Sequence, residues 1–273
     1  MPDPASPATD FEAVGSAFSK QAERYDENDR ANPILTAWRK QVYAHVDRFL
    51  TPHRSILELN AGTGIDALYF VGAGHTVHAT DVSPGMIQKI REKIDQHKLH
   101  DRLTCQLCSF ENLQALHGKK FDYVFSNFGG LNCTDDLAKV TRPLSGLLNP
   151  GAYITWVIMP PVCLWELRWI FQGRPGAAFR RFQKNGTLAR VEGDLFRTYY
   201  YSLDRVRNAF GRNFKLQRVE GLGALSPPPA NLNFVLKHPG MYSILEKIDR
   251  MARNHFPFNR WADHIIVTFQ YTP

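Results

Sequence analysis

The sequence predicts an α/β protein with a doubly wound sheet that carries helices on both faces. Short apolar strand signals alternate with amphipathic helix signals over residues 55–159, and this alternation is typical of parallel strands joined by right-handed crossovers. A glycine-rich turn directly follows the first strand. The alternation stops over residues 161–201, so we expect an insert there before the sheet is completed.

The composition is that of a globular protein with a sizeable core. The 273 residues are 44% hydrophobic, and the net charge of +7 makes the surface attractive to anions. The longest apolar run, residues 154–165, is broken by Pro160 and Pro161 and falls short of the roughly 20 residues that span a bilayer. The N-terminal segment MPDPASPATD lacks a basic stretch followed by an apolar one, so we expect a cytoplasmic protein without a secretory signal.

The elements can be assigned in order along the chain. Residues 1–12 are mostly Pro, Ala, Ser and Asp, which predicts a disordered tail. Asn32 can cap a helix and Pro33 suits its first position, after which apolar side chains recur at helical spacing to about Leu50. We predict strands at residues 55–59, 76–80, 103–107, 121–125 and 152–159, and helices at residues 66–71, from Ser83 onward, and at 135–148.

Three units follow from this assignment. Residues 13–160 contain the N-terminal helices and the first half of the sheet, and residues 161–201 form a lid or cap. Residues 202–273 complete the sheet, with predicted helices at 202–210 and 241–252 and predicted strands at 214–219 and 264–270.

The first segment that carries chemistry is ILELNAGTG at residues 56–64. A glycine turn at the end of a strand lets backbone N–H groups approach a ligand, and the following helix adds the positive end of its dipole. Gly62 to Ala67 also fits the dinucleotide pattern G-x-G-x-x-G/A, so a nicotinamide or flavin enzyme is one alternative. Against it, the carboxylate of Glu58 would repel a pyrophosphate but can orient an amino group.

Further segments separate these alternatives. Asp81 ends the second strand and can accept hydrogen bonds from two ribose hydroxyls. Five segments follow one another in residues 54–160: ILELNAGTG, TDVSPGMI, SFENL, FDYVFSNFGGLN and LNPGAYI. In these the sequence resembles the class I S-adenosylmethionine-dependent methyltransferases, in particular small-molecule members similar to the ubiquinone and menaquinone biosynthesis type. The resemblance implies a Rossmann-like seven-stranded sheet with an antiparallel last strand, a lid after the fifth strand, and S-adenosylmethionine as cofactor with S-adenosylhomocysteine as product.

The resemblance also implies which residues contact the cofactor. The methionine end of the cofactor would lie at Glu58, Gly62 and Gly64, and its ribose at Asp81. The adenine would lie among Met86, Ser109 and Phe110. The methyl group would lie at Asn127 and Phe128. Asn60, Ala61 and Val82 would complete the same surroundings. Tyr25, in a Tyr-Asp pair, would touch the cofactor carboxylate as in similar enzymes, with a packing role as the alternative.

Two residues depart from the family pattern. Asn60 replaces a usual glycine, and because Asn tolerates positive φ best among the other residues, we expect the turn to survive. Ser109 stands where many relatives have an aspartate, so another group must bind the adenine amino group. Cys105 and Cys108 lie three apart in a predicted strand and therefore on opposite faces, and we expect no metal site.

The insert mixes aromatic and basic side chains. A helix over residues 162–171 would place Trp165 and Trp169 on one face with Arg168 beside them. We interpret the insert as a lid over an apolar or aromatic substrate, which Phe128 and Tyr200 would also contact. The alternative is a nucleic-acid surface, because stacking and phosphate binding use the same residue types.

A candidate general base comes from the last strand. In the resembled fold that strand begins at the same edge of the sheet where the parallel strands end. Asp263 and His264 begin it, so His264 can face the substrate with Asp263 as its neighbour. A histidine satisfied by backbone groups is the alternative.

These observations predict methyl transfer from S-adenosylmethionine to a small, largely apolar or aromatic acceptor, by O-, N- or C-methylation. Methyl transfer is an in-line displacement that depends mainly on positioning and water exclusion, and such activity suits secondary metabolism. An RNA or DNA methyltransferase and a non-catalytic cofactor-binding module are the alternatives. No nucleic-acid partner and no membrane span are expected, while peripheral membrane contact and the oligomeric state stay open.

Overall fold

A seven-stranded sheet forms the centre of residues 11–273, the part of the chain that the computed structural model describes. The strands are β1 (Ser55–Leu59), β2 (Thr76–Asp81), β3 (Leu103–Leu107), β4 (Phe121–Ser126), β5 (Leu148–Ile158), β6 (Thr187–Val191), β7 (Asp194–Thr198), β8 (Phe214–Leu222) and β9 (His264–Tyr271). The sheet order is β3-β2-β1-β4-β5-β9-β8, and β6 and β7 pair in a separate hairpin. Strand β9 runs antiparallel to both neighbours, which confirms the predicted fold class.

Helices precede and connect the strands, and two of them begin at caps that the sequence predicts. They are α1 (Phe11–Ala31), α2 (Pro33–Val46), α3 (Ile65–Gly72), α4 (Pro84–His97), α5 (Ala138–Thr141), α6 (Leu144–Leu147), α7 (Leu164–Leu167), α8 (Pro175–Ala178), α9 (Leu203–Phe210), α10 (Leu232–Lys237) and α11 (Pro239–Ala252). The Asn32 side chain accepts the Ile34 N–H at the start of α2, and Ser83 accepts the Met86 N–H at the start of α4.

Two hydrophobic clusters cover the two faces of the sheet. Helices α2, α3 and α4 pack over Ile56 and Phe125, whereas α5, α6 and α9 pack over Leu57 and Val124. Neighbouring strand residues alternate between the clusters because the pleat points them to opposite faces. Each large side chain buried in this way contributes roughly 1.5–3 kcal/mol to folding.

Two predicted segments differ from the structure. The predicted tail covers residues 1–12, of which residues 1–10 lie outside the described part, while α1 already begins at Phe11. The predicted helix over residues 135–148 is wrong, because only the single turns α5 and α6 form and β5 starts at Leu148. Pro143 lies between the two turns and cannot donate the hydrogen bond that a continuous helix needs.

The insert is built from short elements instead of the predicted helix over residues 162–171. Helix α7 has four residues, and a 3₁₀ turn over Arg168–Ile170 follows it. Gly173 at φ 68° and Pro175 then redirect the chain toward α8. Within residues 11–273, no helix is both long and apolar enough to cross a bilayer.

The carboxyl ends of β1, β2, β4 and β5 meet at one edge of the sheet. At the same edge Ile158 near the end of β5 pairs with Ile265 near the start of β9. The structure therefore places His264 at the edge where the sequence analysis expected it, beside the loop that follows β4.

Candidate functional site

A cavity opens at this edge of the sheet, under the N-terminal helix α1. The space is about 620 Å³ when the open mouth is included. Its lining is Val14, Phe18, Tyr25, Asn60, Gly62, Asp81, Val82, Met86, Cys108, Phe110, Asn127, Phe128, Gly130 and Cys133. The structure thus brings together most of the residues that the sequence analysis assigned to the cofactor, from four separate loops and α1.

The glycine-rich loop after β1 adopts left-handed backbone conformations. Asn60 has φ 46°, Gly62 φ 56° and Gly64 φ 81°, so the turn survives with asparagine in place of glycine, as expected. The Asn60 side chain accepts a hydrogen bond from Ser126 Oγ at 2.6 Å and donates one to the Asn127 carbonyl at 3.1 Å. A glycine could not make these bonds, so Asn60 ties the loop to the end of β4.

Asp81 forms a buried acidic wall of the cavity. Its Oδ2 accepts the Gly62 N–H at 2.9 Å, and its Oδ1 accepts the Ser83 N–H at 2.8 Å. Burial raises the pKa of Asp81 to about 6, against the opposing effect of these backbone donors. Each carboxylate oxygen keeps a further lone pair for a ligand hydroxyl.

The raised pKa predicts that binding of a ribose to Asp81 depends on pH. Ligand hydroxyls favour the ionised carboxylate and lower its pKa in the complex, so affinity is full above about pH 6 and falls as pH drops through that value. We expect S-adenosylhomocysteine to bind about tenfold more weakly at pH 5 than at pH 7, measured by isothermal titration calorimetry. A pH-independent dissociation constant over this interval would contradict the assignment.

An inner recess continues from the cavity toward α2 and contains a buried arginine. Arg39 donates to Asp29 at 2.6 Å and to Asp66, and Asn127 Nδ2 donates to Asp66 at 3.0 Å. Ala61 and Tyr25 line the same recess. Arg39 escaped the sequence analysis because a single arginine within an amphipathic helix usually lies on its solvated face.

Glu58 lies behind the loop and does not line the cavity. Its carboxyl group is buried, and burial together with the nearby Asp66 raises the Glu58 pKa well above its usual value. Oε2 of Glu58 has no hydrogen-bond partner within residues 11–273. Gly64 is also set back from the cavity, because it caps the start of α3.

Of the residues expected near the adenine, all but one line the cavity. Val82, Met86 and Phe110 line it, but Ser109 does not, and its hydroxyl accepts the Glu111 N–H at 3.2 Å. Cys108 takes the place beside Phe110. Cys108 directly follows β3, so it lies outside the strand in which the sequence analysis placed it together with Cys105.

Helix α1 supplies a wall that the sequence analysis did not assign. Val14 and Phe18 line the cavity from α1. The helix is fixed to the start of α4, where Ser19 Oγ lies 2.8 Å from Ser83 Oγ and accepts the Gly85 N–H at 3.1 Å. A Cβ on Gly85 would lie 2.8 Å from the Ser19 backbone, so this close approach needs the glycine.

His264 lies beside the cavity and is not part of its lining. Its ring packs edge-on against Trp38 at 5.6 Å and against Phe128 at 6.3 Å between centroids. Nδ1 of His264 is 2.8 Å from Asp263 Oδ2, and Arg181 donates to Asp263 Oδ1 at 2.6 Å. Burial would raise the pKa of Asp263, but Arg181 and His264 hold it below its usual range.

The predicted lid residues lie elsewhere. Trp165 donates from Nε1 to Asn231 at 3.0 Å, and Arg168 and Arg174 cover Trp165 and Trp169 respectively. The two tryptophans therefore stack on different cations and do not line the cavity.

Tyr200 and the nearby acidic groups surround Arg181. The Arg181 guanidinium lies 5.1 Å from the Tyr200 ring centroid and donates to both Glu166 and Asp263. Cys163, Glu166 and Asp263 are close enough together to hold a metal ion. Arg181 already supplies a positive charge between the two carboxylates, so these residues are explained as an ion-pair cluster.

The chain is similar to known methyltransferases in part of its sequence. Residues 56–151 match the family model described as a methyltransferase domain. Demethylmenaquinone methyltransferase of Leptospira interrogans is 25% identical over 170 residues, which are 60% of this chain and 68% of that protein. Ubiquinone/menaquinone biosynthesis C-methyltransferase UbiE of Acidiphilium cryptum is 30% identical over 141 residues, which are 50% of this chain and 55% of the relative.

Solved structures share the fold. The structure of 1,6-didemethyltoxoflavin-N1-methyltransferase of Burkholderia thailandensis aligns with a TM-score of 0.58 at 15% sequence identity. The alignment covers 100% of this chain and 94% of that one. The structure of geranyl diphosphate C-methyltransferase of Streptomyces coelicolor aligns with a TM-score of 0.56 at 10% sequence identity. This alignment covers 85% of this chain and 79% of that one. The domain match and the curated relatives confirm the predicted resemblance and the enzyme class. Both solved structures contain S-adenosylhomocysteine, in agreement with the predicted cofactor.

Proposed function

We propose that this chain, a methyltransferase that uses S-adenosylmethionine, methylates a small acceptor with a largely apolar or aromatic body. The observation that carries the proposal is the meeting of two different surfaces at Asn127 and Phe128. On one side lies the cavity with the glycine-rich loop and Asp81. On the other side of Phe128 lies His264, held among aromatic rings.

The residues of the cavity fit the cofactor. Asp81 offers acceptors to ribose hydroxyls, and its two oxygens are held in place by the Gly62 and Ser83 N–H groups. Phe18, Met86 and Phe110 form apolar walls for a flat base. When bound, the sulfonium supplies an electrophilic methyl group.

The chain contributes mainly by holding and enclosing the reactants. Phe128 and Asn127 follow β4 at the edge of the sheet, and Phe128 has φ 45°, which turns its ring between Arg39 and His264. Positioning of this kind can supply as much as roughly 7–11 kcal/mol of barrier reduction. The aromatic surroundings favour an acceptor that replaces water with apolar surface.

His264 is the group best placed to remove a proton from an acidic acceptor. Asp263 Oδ2 lies at its Nδ1, which leaves Nε2 as the atom that faces the turn at Gly129. A Cβ on Gly129 would lie 3.2 Å from Nε2. A positioned base of this kind contributes about 10²- to 10⁴-fold to a proton transfer.

The relatives support a small acceptor. Their names state activity on demethylmenaquinone and on 1,6-didemethyltoxoflavin. The nucleic-acid alternative lacks support of this kind. Trp165 packs on Phe234 and Trp169 packs on Arg174, so these rings do not offer free faces to bases.

The proposal is tested by incubating the chain with methyl-labelled S-adenosylmethionine and a panel of phenols, quinones and amines. We expect label in at least one aromatic acceptor, identified by mass spectrometry. Tight binding of S-adenosylhomocysteine without transfer to any member of the panel would favour a non-catalytic module. Transfer to RNA or DNA alone would overturn the proposed acceptor class.

The role of His264 gives a separate prediction for an accepted phenol or enol. Replacing His264 by glutamine should lower kcat about 100-fold or more while the dissociation constant of S-adenosylhomocysteine changes little. The loss should shrink at high pH, where the acceptor ionises without help. His117→Gln, at an exposed residue remote from the edge, is the matched control, and equal turnover in both variants would remove His264 from the mechanism.

A further inference from the structure

The C-terminal helix α11 is amphipathic in an unusual way, because part of its apolar surface faces solvent. Four side chains recur along it at spacings of three and four residues, so they share one side of the helix. They are 41–79% exposed. We call them the α11 apolar face: Met241, Ile244, Ile248 and Met251.

A different side of α11 is firmly attached to the protein. The buried carboxylate of Asp249 accepts the backbone N–H groups of Leu225 at 2.7 Å and Ser226 at 2.8 Å, and also the Ser226 hydroxyl. Tyr242 packs against the hydrophobic cluster below. The exposure of the α11 apolar face is thus fixed by anchoring on the other side of the helix.

The charge around this face is predominantly positive. Residues 232–261 contain five basic side chains, Lys237, Lys247, Arg250, Arg253 and Arg260. They contain two acidic ones, of which Asp249 is buried and Glu246 lies 3.7 Å from Arg250. Arg253 is paired with the buried Glu220 at 3.3 Å, so the cations of this group without an ion pair in residues 11–273 are Lys237, Lys247 and Arg260. An occupant of this face therefore meets apolar side chains together with uncompensated positive charge.

Two aromatic side chains in the segment that follows the helix are also exposed. Phe256 and Trp261 are 66% and 38% exposed, and their rings lie 5.6 Å apart. The Arg260 guanidinium lies over Phe256 at 5.9 Å. Tryptophan and arginine in neighbouring exposed positions are typical of residues at a membrane–water interface.

We propose that the α11 apolar face binds the surface of a bilayer that contains anionic lipids. A helix with a strong apolar face and basic flanks lies in the plane of the interface, where apolar burial and attraction to acidic headgroups add. A second copy of the chain fits less well, because it would oppose like charges. Four side chains also fall far short of the 20–30 residues a side, roughly 800 Å² per partner, of a stable protein interface.

The proposal is tested by sedimenting the full chain with vesicles of phosphatidylcholine, with and without phosphatidylglycerol. We expect binding to the anionic vesicles that weakens at high salt. Ile244→Asp should reduce partitioning at least about tenfold. Lys247→Glu should reduce it about fivefold or more, since each basic residue near an anionic surface contributes that factor.

Matched variants separate this face from general surface effects. Leu188 on β6 is 62% exposed against 60% for Ile244, so Leu188→Asp should bind vesicles like the unaltered chain, as should Lys120→Glu. Circular dichroism should show all four variants folded. The proposal is overturned if the unaltered chain ignores anionic vesicles, if Leu188→Asp loses as much binding as Ile244→Asp, or if sedimentation velocity shows a dimer that Ile244→Asp dissociates.

Discussion

Replacing Asp81 by alanine should abolish measurable binding of S-adenosylhomocysteine, with a loss of at least about 100-fold. The variant removes the acceptors for the ribose hydroxyls, and hydrogen bonds to a charged group contribute about 1.5–3 kcal/mol each. It also leaves the N–H groups of Gly62 and Ser83 without their acceptor, so the loop and the start of α4 lose their fixed positions. Calorimetric titration measures the affinity.

The conservative variant Asp81→Asn separates the charge from the shape. It keeps one acceptor oxygen and the volume of the side chain, so we expect weak binding that no longer changes between pH 5 and pH 7. Thermal unfolding of both variants shows whether the fold persists. Binding by Asp81→Ala within a few-fold of the unaltered chain would show that the ribose lies elsewhere.

Replacing Gly130 by alanine should destabilise the protein and the cavity together. The added Cβ would lie 2.4 Å from Cγ and Nδ2 of Asn60. The Asn60 side chain cannot move aside without losing its hydrogen bonds to Ser126 and Asn127. Overpacking of this kind costs about 1–3 kcal/mol, measurable by urea unfolding.

A second substitution tests the cause. Asn60→Gly removes the side chain that collides, and glycine suits the left-handed backbone at that position. The double variant should therefore recover most of the stability that Gly130→Ala loses. Gly146→Ala is the control, because no atom lies within 4 Å of its added Cβ. Simple additivity of the two substitutions would contradict the proposed collision.

The sheet and the cofactor loop could be predicted because each depends on local patterns. Strands buried on both faces are short apolar runs between turns, and β1 begins and ends where the sequence places it. The positive φ of Asn60 follows from the chemistry of asparagine and the geometry of a turn. These features need no knowledge of distant contacts.

The residues that were missed depend on contacts between distant segments. Arg39 is buried only because Asp29 and Asp66 meet it from two other places in the chain. Trp165 does not lie on the expected lid surface, because it donates a hydrogen bond to Asn231 and packs against Phe234. Periodicity within a segment carries no information on such partners.

The place of β9 between β5 and β8 imposes an order of assembly on the protein. Within residues 11–273, every residue that lines the main cavity lies between Val14 and Cys133, so that region can collapse early during synthesis. His264 lies in β9, which pairs with β8 and with β5. The β9 residues lie more than a hundred positions downstream of their β5 partners, and closing so long a loop is slow. The residues that line the cavity can therefore come together before His264, which reaches this edge of the sheet only when β9 inserts between β5 and β8.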